Sequence, residues 1–218
     1  MTGLCCNYRI YVPDLPGFGH SQAIDGDHGI DDFVAFVDDF AACVGMESFY
    51  LTGHSIGGSI ALRYTVKYPH KVKKLVIING VGMGRDTPVW LRFLATSALC
   101  RSLGVPVAAL IKAVKRALDG MFAPLRFMNP LPLAAVLLGA GMAVLRQESV
   151  VLVPQLAALM IPTLLVWGGR DNIVPVSNAY TAARLIPDCK VHVFEDGGHF
   201  VYRRKTKEFV QLIRDFLS

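Results

Sequence analysis

Phe33, Phe36, Val37, Phe40 and Val44 recur at i, i+3, i+4, i+7 and i+11, a single apolar stripe that predicts a helix over residues 30–45. Asp31 and Asp32 fall in its first turn, where the helix dipole favours anions. Elsewhere the rhythm shortens. Residues 8–12 (Tyr-Arg-Ile-Tyr-Val) predict a short strand stopped by Pro13. Residues 49–52 predict another, followed by a helix over 57–68 that Pro69 ends. Residues 75–78 are apolar at every position, as expected of a strand covered on both faces. Further strands are predicted at 163–167 and 191–194, and between them a helix over 177–185 that Pro187 ends. Residues 204–217 close the chain as an amphipathic helix carrying Phe209, Leu212, Ile213, Phe216 and Leu217. Strands alternating with helices predict an α/β fold on a mostly parallel sheet.

Between residues 81 and 150 the alternation breaks. This stretch is rich in Leu, Ala and Val, reads as mostly helical, and holds eight Lys/Arg against three Asp/Glu. It carries the whole net charge of +5, because the rest of the chain has fourteen of each sign. The expectation is a helical lid inserted at 81–150 into an α/β core of residues 1–80 and 151–218. No aromatic-interleaved basic stripe accompanies the charge, so nucleic acid is not an expected partner. The charge could draw anionic substrates or an anionic membrane surface into weak peripheral contact, although a solvated helix face accounts for it more simply.

With 218 residues, 53% of them hydrophobic and 18% charged, the chain is long enough for a sizeable core and too apolar for disorder. Residues 127–145 and 149–169 carry no charge and are long enough to span a bilayer. Asn129, Pro130 and Pro132 interrupt the first, and Pro154, Gln155 and Pro162 the second, so buried protein segments are the better expectation. The N-terminus has only Arg9 as a basic residue and no long apolar run, which does not suit a signal peptide. Five cysteines without metal-ligand spacing, two of them adjacent as Cys5-Cys6, suit reduced thiols in a cytoplasmic protein.

The candidate chemistry lies in loops that follow strands. Gly53-His54-Ser55-Ile56-Gly57 stands between a predicted strand and a predicted helix, the setting in which G-x-S-x-G has mechanical meaning. A serine there occupies a tight, strained turn, and Gly53 and Gly57 are expected to supply room on either side. The turn puts Ser55 at the positive end of the helix, with the Ile56 N–H able to face a developing oxyanion. A serine hydroxyl needs a base. Among His20, His28, His54, His70, His192 and His199, the last follows a strand and the turn Asp196-Gly197-Gly198. That places it at a strand's carboxyl end, where open α/β sheets build their sites. His54 adjoins Ser55 but is expected to diverge from it, and His192 lies within a strand. A third residue must hold the imidazole in the right tautomer. Asp171 follows the strand at 163–167 through Gly168-Gly169-Arg170; Asp188 and Asp196 are the alternatives, the first before a strand and the second only three residues from His199.

Four motifs carry a family resemblance. They are Asp14-Leu15-Pro16-Gly17-Phe18-Gly19-His20-Ser21, Gly53-His54-Ser55-Ile56-Gly57-Gly58, Trp167-Gly168-Gly169-Arg170-Asp171-Asn172-Ile173-Val174-Pro175 and Gly197-Gly198-His199-Phe200. In this order and spacing they resemble the α/β-hydrolase superfamily, in its serine-nucleophile, lid-bearing branch, over nearly all of the chain outside 81–150. The resemblance implies Ser55 as nucleophile, His199 as base and Asp171 as its acidic partner, with no metal or organic cofactor. Serine at 55 argues against the dehalogenase and epoxide hydrolase members, which use aspartate there. His54 looks more like the esterase pattern than the carbon–carbon hydrolase pattern.

Members of the family usually begin with three strands before the segment that matches residues 8–12, and a His-Gly motif after the third supplies a second oxyanion N–H. Nothing here matches that motif, so by resemblance the chain starts at the family's fourth strand. The expectation is a truncated or mis-started reading of a longer enzyme, which sequencing upstream of Met1 tests. The missing third strand should leave a gap within the sheet or force residues 8–12 to pair with 49–52. One lost oxyanion donor costs on the order of 10²–10³ in turnover, so activity of these 218 residues alone is expected to be weak or absent. The expected reaction is hydrolysis of a hydrophobic ester through an acyl-enzyme. The rivals are a carbon–carbon bond hydrolase or acyltransferase with the same triad, and an inactive homologue acting in binding or membrane association.

Overall fold

The computed structural model describes residues 3–5, 7–22, 29–84, 86 and 153–218. The expected lid and the uncharged stretch at 127–145 therefore lie outside the described residues, apart from the lid's first few positions. Four strands form one sheet: β1 (Phe49–His54), β2 (Val72–Ile78), β3 (Thr163–Gly168) and β4 (Cys189–Phe194). They lie side by side in the order β1-β2-β3-β4, and each neighbouring pair is parallel. All four carboxyl ends consequently reach the same edge of the sheet.

The burial pattern follows from two covered faces. In β2, Leu75 and Ile77 enter one apolar cluster while Val76 and Ile78 enter another. In β3, Leu165 and Trp167 join the first cluster, and Leu164 and Val166 the second. Every residue of β3 is buried, which identifies the end of the uncharged stretch 149–169 as a core strand. Among the described residues, no helix is long and apolar enough to cross a membrane.

Helices α1 (Ile30–Cys43) and α2 (Ile56–Lys67) cover the first face. The apolar stripe of α1 turns inward with Phe33 buried and Phe36, Val37, Phe40 and Val44 half-buried, and Val34 beside it is buried too, while Asp32 accepts the Gly29 N–H at 2.9 Å across the helix start. Asp31 holds the Arg63 side chain of α2 through two hydrogen bonds, 2.9 and 3.1 Å. After the short α3 (Val153–Leu156) and α4 (Ser177–Ala183), α5 (Val201–Arg204) leads into α6 (Thr206–Leu217). Lys205 interrupts what was expected as one helix over 204–217. Ile213 and Leu217 of α6 are buried against the second face, with Phe209, Leu212 and Phe216 half-buried around them.

Residues 8–12 form no strand. Neither consequence expected from the resemblance is seen: the four-stranded sheet has no internal gap, and residues 8–12 do not pair with β1. Among the described residues β1 is a sheet edge. The segment is held by side chains instead. The Tyr8 ring meets Tyr50 edge-on at 5.9 Å, and Tyr11 meets Phe40 at 5.9 Å. Aromatic contacts with β1 and α1 hold the segment here without a backbone ladder.

Candidate active site

Each strand delivers one polar residue to the common edge: Ser55 follows β1, Asn79 follows β2, Asp171 follows β3 and His199 follows β4. The turn at Ser55 is as tight as the motif predicts. Its φ is 56°, one of only two positive values at non-glycine positions among the described residues. Backbone hydrogen bonds pin the turn: the Ser55 N–H donates to Ile78 O at 2.9 Å, and Ser55 O accepts from Gly58 at 3.0 Å and Val81 at 3.2 Å. A Cβ at residue 53 would stand 2.1 Å from the Gly57 carbonyl oxygen, so only glycine fits there. The expected need for room at Gly57 is not found, because a Cβ there would meet nothing within 4 Å. It is the carbonyl of Gly57 that crowds the strand, not its Cα.

Ser55, His199 and Asp171 converge. The Ser55 hydroxyl lies 3.0 Å from His199 Nε2, and His199 Nδ1 lies 2.8 Å from Asp171 Oδ2. An ionised carboxylate only accepts, so the proton of neutral His199 sits on Nδ1 and bare Nε2 can accept the Ser55 hydroxyl proton. The Asp171 side chain is wholly covered and that of His199 nearly so. Burial by itself would raise the Asp171 carboxyl. The His199 ring and the Val174 and Ile173 N–H groups outweigh burial and hold it below its ordinary value. Those two N–H groups reach Asp171 Oδ1 at 2.9 and 2.7 Å. The loops bearing acid and base are packed together directly: a Cβ at Gly168 would stand 2.3 Å from Gly198 O, and the Arg170 N–H donates to Gly197 O at 2.8 Å. The alternative carboxylate Asp196 points away to an exposed ion pair with Arg170 at 2.9 Å.

Ile56 is the first residue of α2, where a backbone N–H has no carbonyl of its own helix to pair with. The His54 side chain, expected to diverge from Ser55, packs against the base. Its ring centroid lies 4.8 Å from that of His199, and its Nε2 lies 2.9 Å from the His199 carbonyl oxygen. A carbonyl only accepts, so His54 carries its proton on Nε2 and donates. Burial first, then the neighbouring His199, pushes His54 down to about 4, and it is neutral at ordinary pH. It ties the backbone of the base to the end of β1.

The profile of the α/β hydrolase fold family matches residues 5–205. The chain belongs to that family. Its relatives include the 2-hydroxy-6-oxo-6-phenylhexa-2,4-dienoate hydrolase of Comamonas testosteroni, 27% identical over 96% of this chain and 77% of that one. The solved hydrolase of the same name from Rhodococcus sp. strain RHA1 has a TM-score of 0.74 at 20% identity, covering 100% of this chain and 82% of that one. A thermophilic esterase from Thermogutta terrifontis has a TM-score of 0.66 at 23% identity, covering 98% and 81%. Family and relatives make this protein a hydrolase. Among the described residues of this α/β hydrolase, the sequence reading missed Asn79 and the reach of His54. Asn79 donates from Nδ2 to Asp171 Oδ2 and is fully buried. The signal available in the sequence was one polar residue directly after the apolar run 75–78, at a strand's carboxyl end.

Proposed function

We propose that Ser55 is the nucleophile of an ester hydrolase, with His199 as its general base and Asp171 as the acid that orients His199. The continuous chain of short contacts from Ser55 Oγ through His199 to Asp171 supports this most directly. Ser55 attacks the carbonyl carbon while His199 Nε2 takes its proton. The carbonyl oxygen becomes an oxyanion facing the Ile56 N–H. His199 returns the proton to the leaving alcohol, and water then repeats the sequence on the acyl-enzyme. The apolar composition of residues 81–150 favours a hydrophobic acyl or alcohol group. Their basic surplus leaves a weak membrane-surface contact as a secondary role.

Cleavage of a carbon–carbon bond next to a carbonyl is the second reading, favoured by relatives named as 2-hydroxy-6-oxo-dienoate hydrolases. Both readings use Ser55, and one pair of assays separates them. The purified protein is offered a short p-nitrophenyl ester and an aryl 2-hydroxy-6-oxo-dienoate, with products identified by mass. Faster turnover of the ester supports the first reading and of the dienoate the second. A fluorophosphonate probe that fails to label the folded protein would overturn both.

A further inference from the structure

Asn79 sits directly after β2 and shows two costly features at once. Its φ is 46°, a region that asparagine tolerates better than most side chains but glycine occupies without cost. Its Oδ1 is buried without a hydrogen-bond partner among the described residues. An orphan acceptor of this kind is expensive to keep. Glycine at this position would avoid both.

The orientation of the amide follows from its neighbour. Asp171 Oδ2 can only accept, so Nδ2 must face it and Oδ1 is left facing away. Oδ2 is also the oxygen that receives the His199 Nδ1–H. The Ile173 and Val174 N–H groups occupy Oδ1 of the same carboxylate. Asp171 thus accepts four hydrogen bonds, three from neutral donors that form its cradle and one from the base. The backbone donors come from its own loop and fix only Oδ1. Asn79 is the donor from outside that loop, reaching from the neighbouring strand to the oxygen that orients His199.

We propose that Asn79 is a positioning residue for the catalytic acid, locking the Asp171 carboxylate in the rotamer that presents Oδ2 to His199 and drawing off part of its charge. The proposal rests on the Ser55-His199-Asp171 reading above. It follows that loss of the Asn79 amide loosens the carboxylate and concentrates more charge on the His199 partner. The other titratable groups facing this network are His54, across from His199, and Arg203 of α5, which acts on His54.

The test uses Asn79→Gly and Asn79→Ala in the full chain. Glycine keeps the positive φ without strain and removes the amide; alanine removes the amide and adds strain. Two measurements are made. One is the titration of the His199 ring by NMR, which needs no turnover. The other is the pH dependence of kcat and KM on a p-nitrophenyl ester. Both variants should raise the His199 titration midpoint by about half a pH unit, shift the acid limb of kcat/KM upward equally, and lower kcat about tenfold with KM little changed. Only Asn79→Ala should melt at lower temperature than wild type. A purely structural Asn79 predicts the opposite split: changes that track melting temperature and are absent in Asn79→Gly. An unmoved His199 titration in a folded Asn79→Gly overturns the proposal. A shifted titration in a protein that does not turn over the p-nitrophenyl ester upholds the positioning role and sinks the ester-hydrolase reading instead.

Discussion

The ends of β1 and β2 are neighbours in the sheet, and each places a non-glycine residue with positive φ at the site. They are built in different ways. The end of β1 is a local device: Gly53 makes room for the Gly57 carbonyl, and α2 begins immediately after Ser55. Gly53 to Gly57 supply the room and the helix start, and the Ile78 carbonyl and Val81 N–H then pin the turn from outside the motif. The end of β2 depends on distance in the chain. Asn79 acquires its partner only because Asp171, 92 positions later, is brought to the adjacent strand end. A strained turn can therefore be written in a motif or created by assembly, and only the first kind announces itself.

The largest effect should come from the local device. Ser55→Ala should remove ester turnover by a factor on the order of 10⁶ and abolish fluorophosphonate labelling, without altering the melting temperature by more than a few degrees. A labelled, active Ser55→Ala protein would break the assignment of the β1 end. Asp171→Asn comes next, with an expected loss in kcat on the order of 10⁴, because an amide in the cradle cannot accept all four donors and hold the His199 tautomer. Retention of full kcat would show that the cradle at the far end of the comparison does not serve the base.

Gly53→Ala tests the packing of the elbow itself. A methyl 2.1 Å from a backbone oxygen must move the strand or the helix, for a destabilisation of about 3 kcal/mol. Chemical denaturation measures it, and a stability equal to wild type would show that the turn has slack. The smallest effect concerns His54. Unfolded, it titrates near 6.5; folded, it is pushed to about 4. Between those values the unfolded chain binds a proton that the folded one refuses, so stability falls as pH drops from 6.5 to 4, by at most about 3 kcal/mol. His54→Gln should flatten that slope in melting curves recorded across the window. An unchanged slope would place the acid sensitivity elsewhere.

Much of the scaffold was legible because both faces of the sheet are covered. Residues 75–78 read as a strand from continuous apolarity and 163–167 from strand character, and the structure places both at the sheet's centre. The stripe on α1 and the apolar positions of α6 were likewise legible from helical period. Residues 8–12 show where such reading fails. Aromatic and β-branched residues record that side chains are covered, and they cannot say whether a backbone ladder or two tyrosine contacts does the holding.

Residue order alone gave away the elbow, the alternation of β1–β4 with their helices, and Ser55, His199 and Asp171 as the residues that meet. Each of these rests on neighbours a few positions apart. Tertiary structure alone decided that His54 clamps the His199 backbone and that Asn79 shares the carboxylate oxygen used by the base. Hydrogen bonds between loops of different strands depend on the parallel packing of those strands, and no local spacing encodes a distance across a sheet.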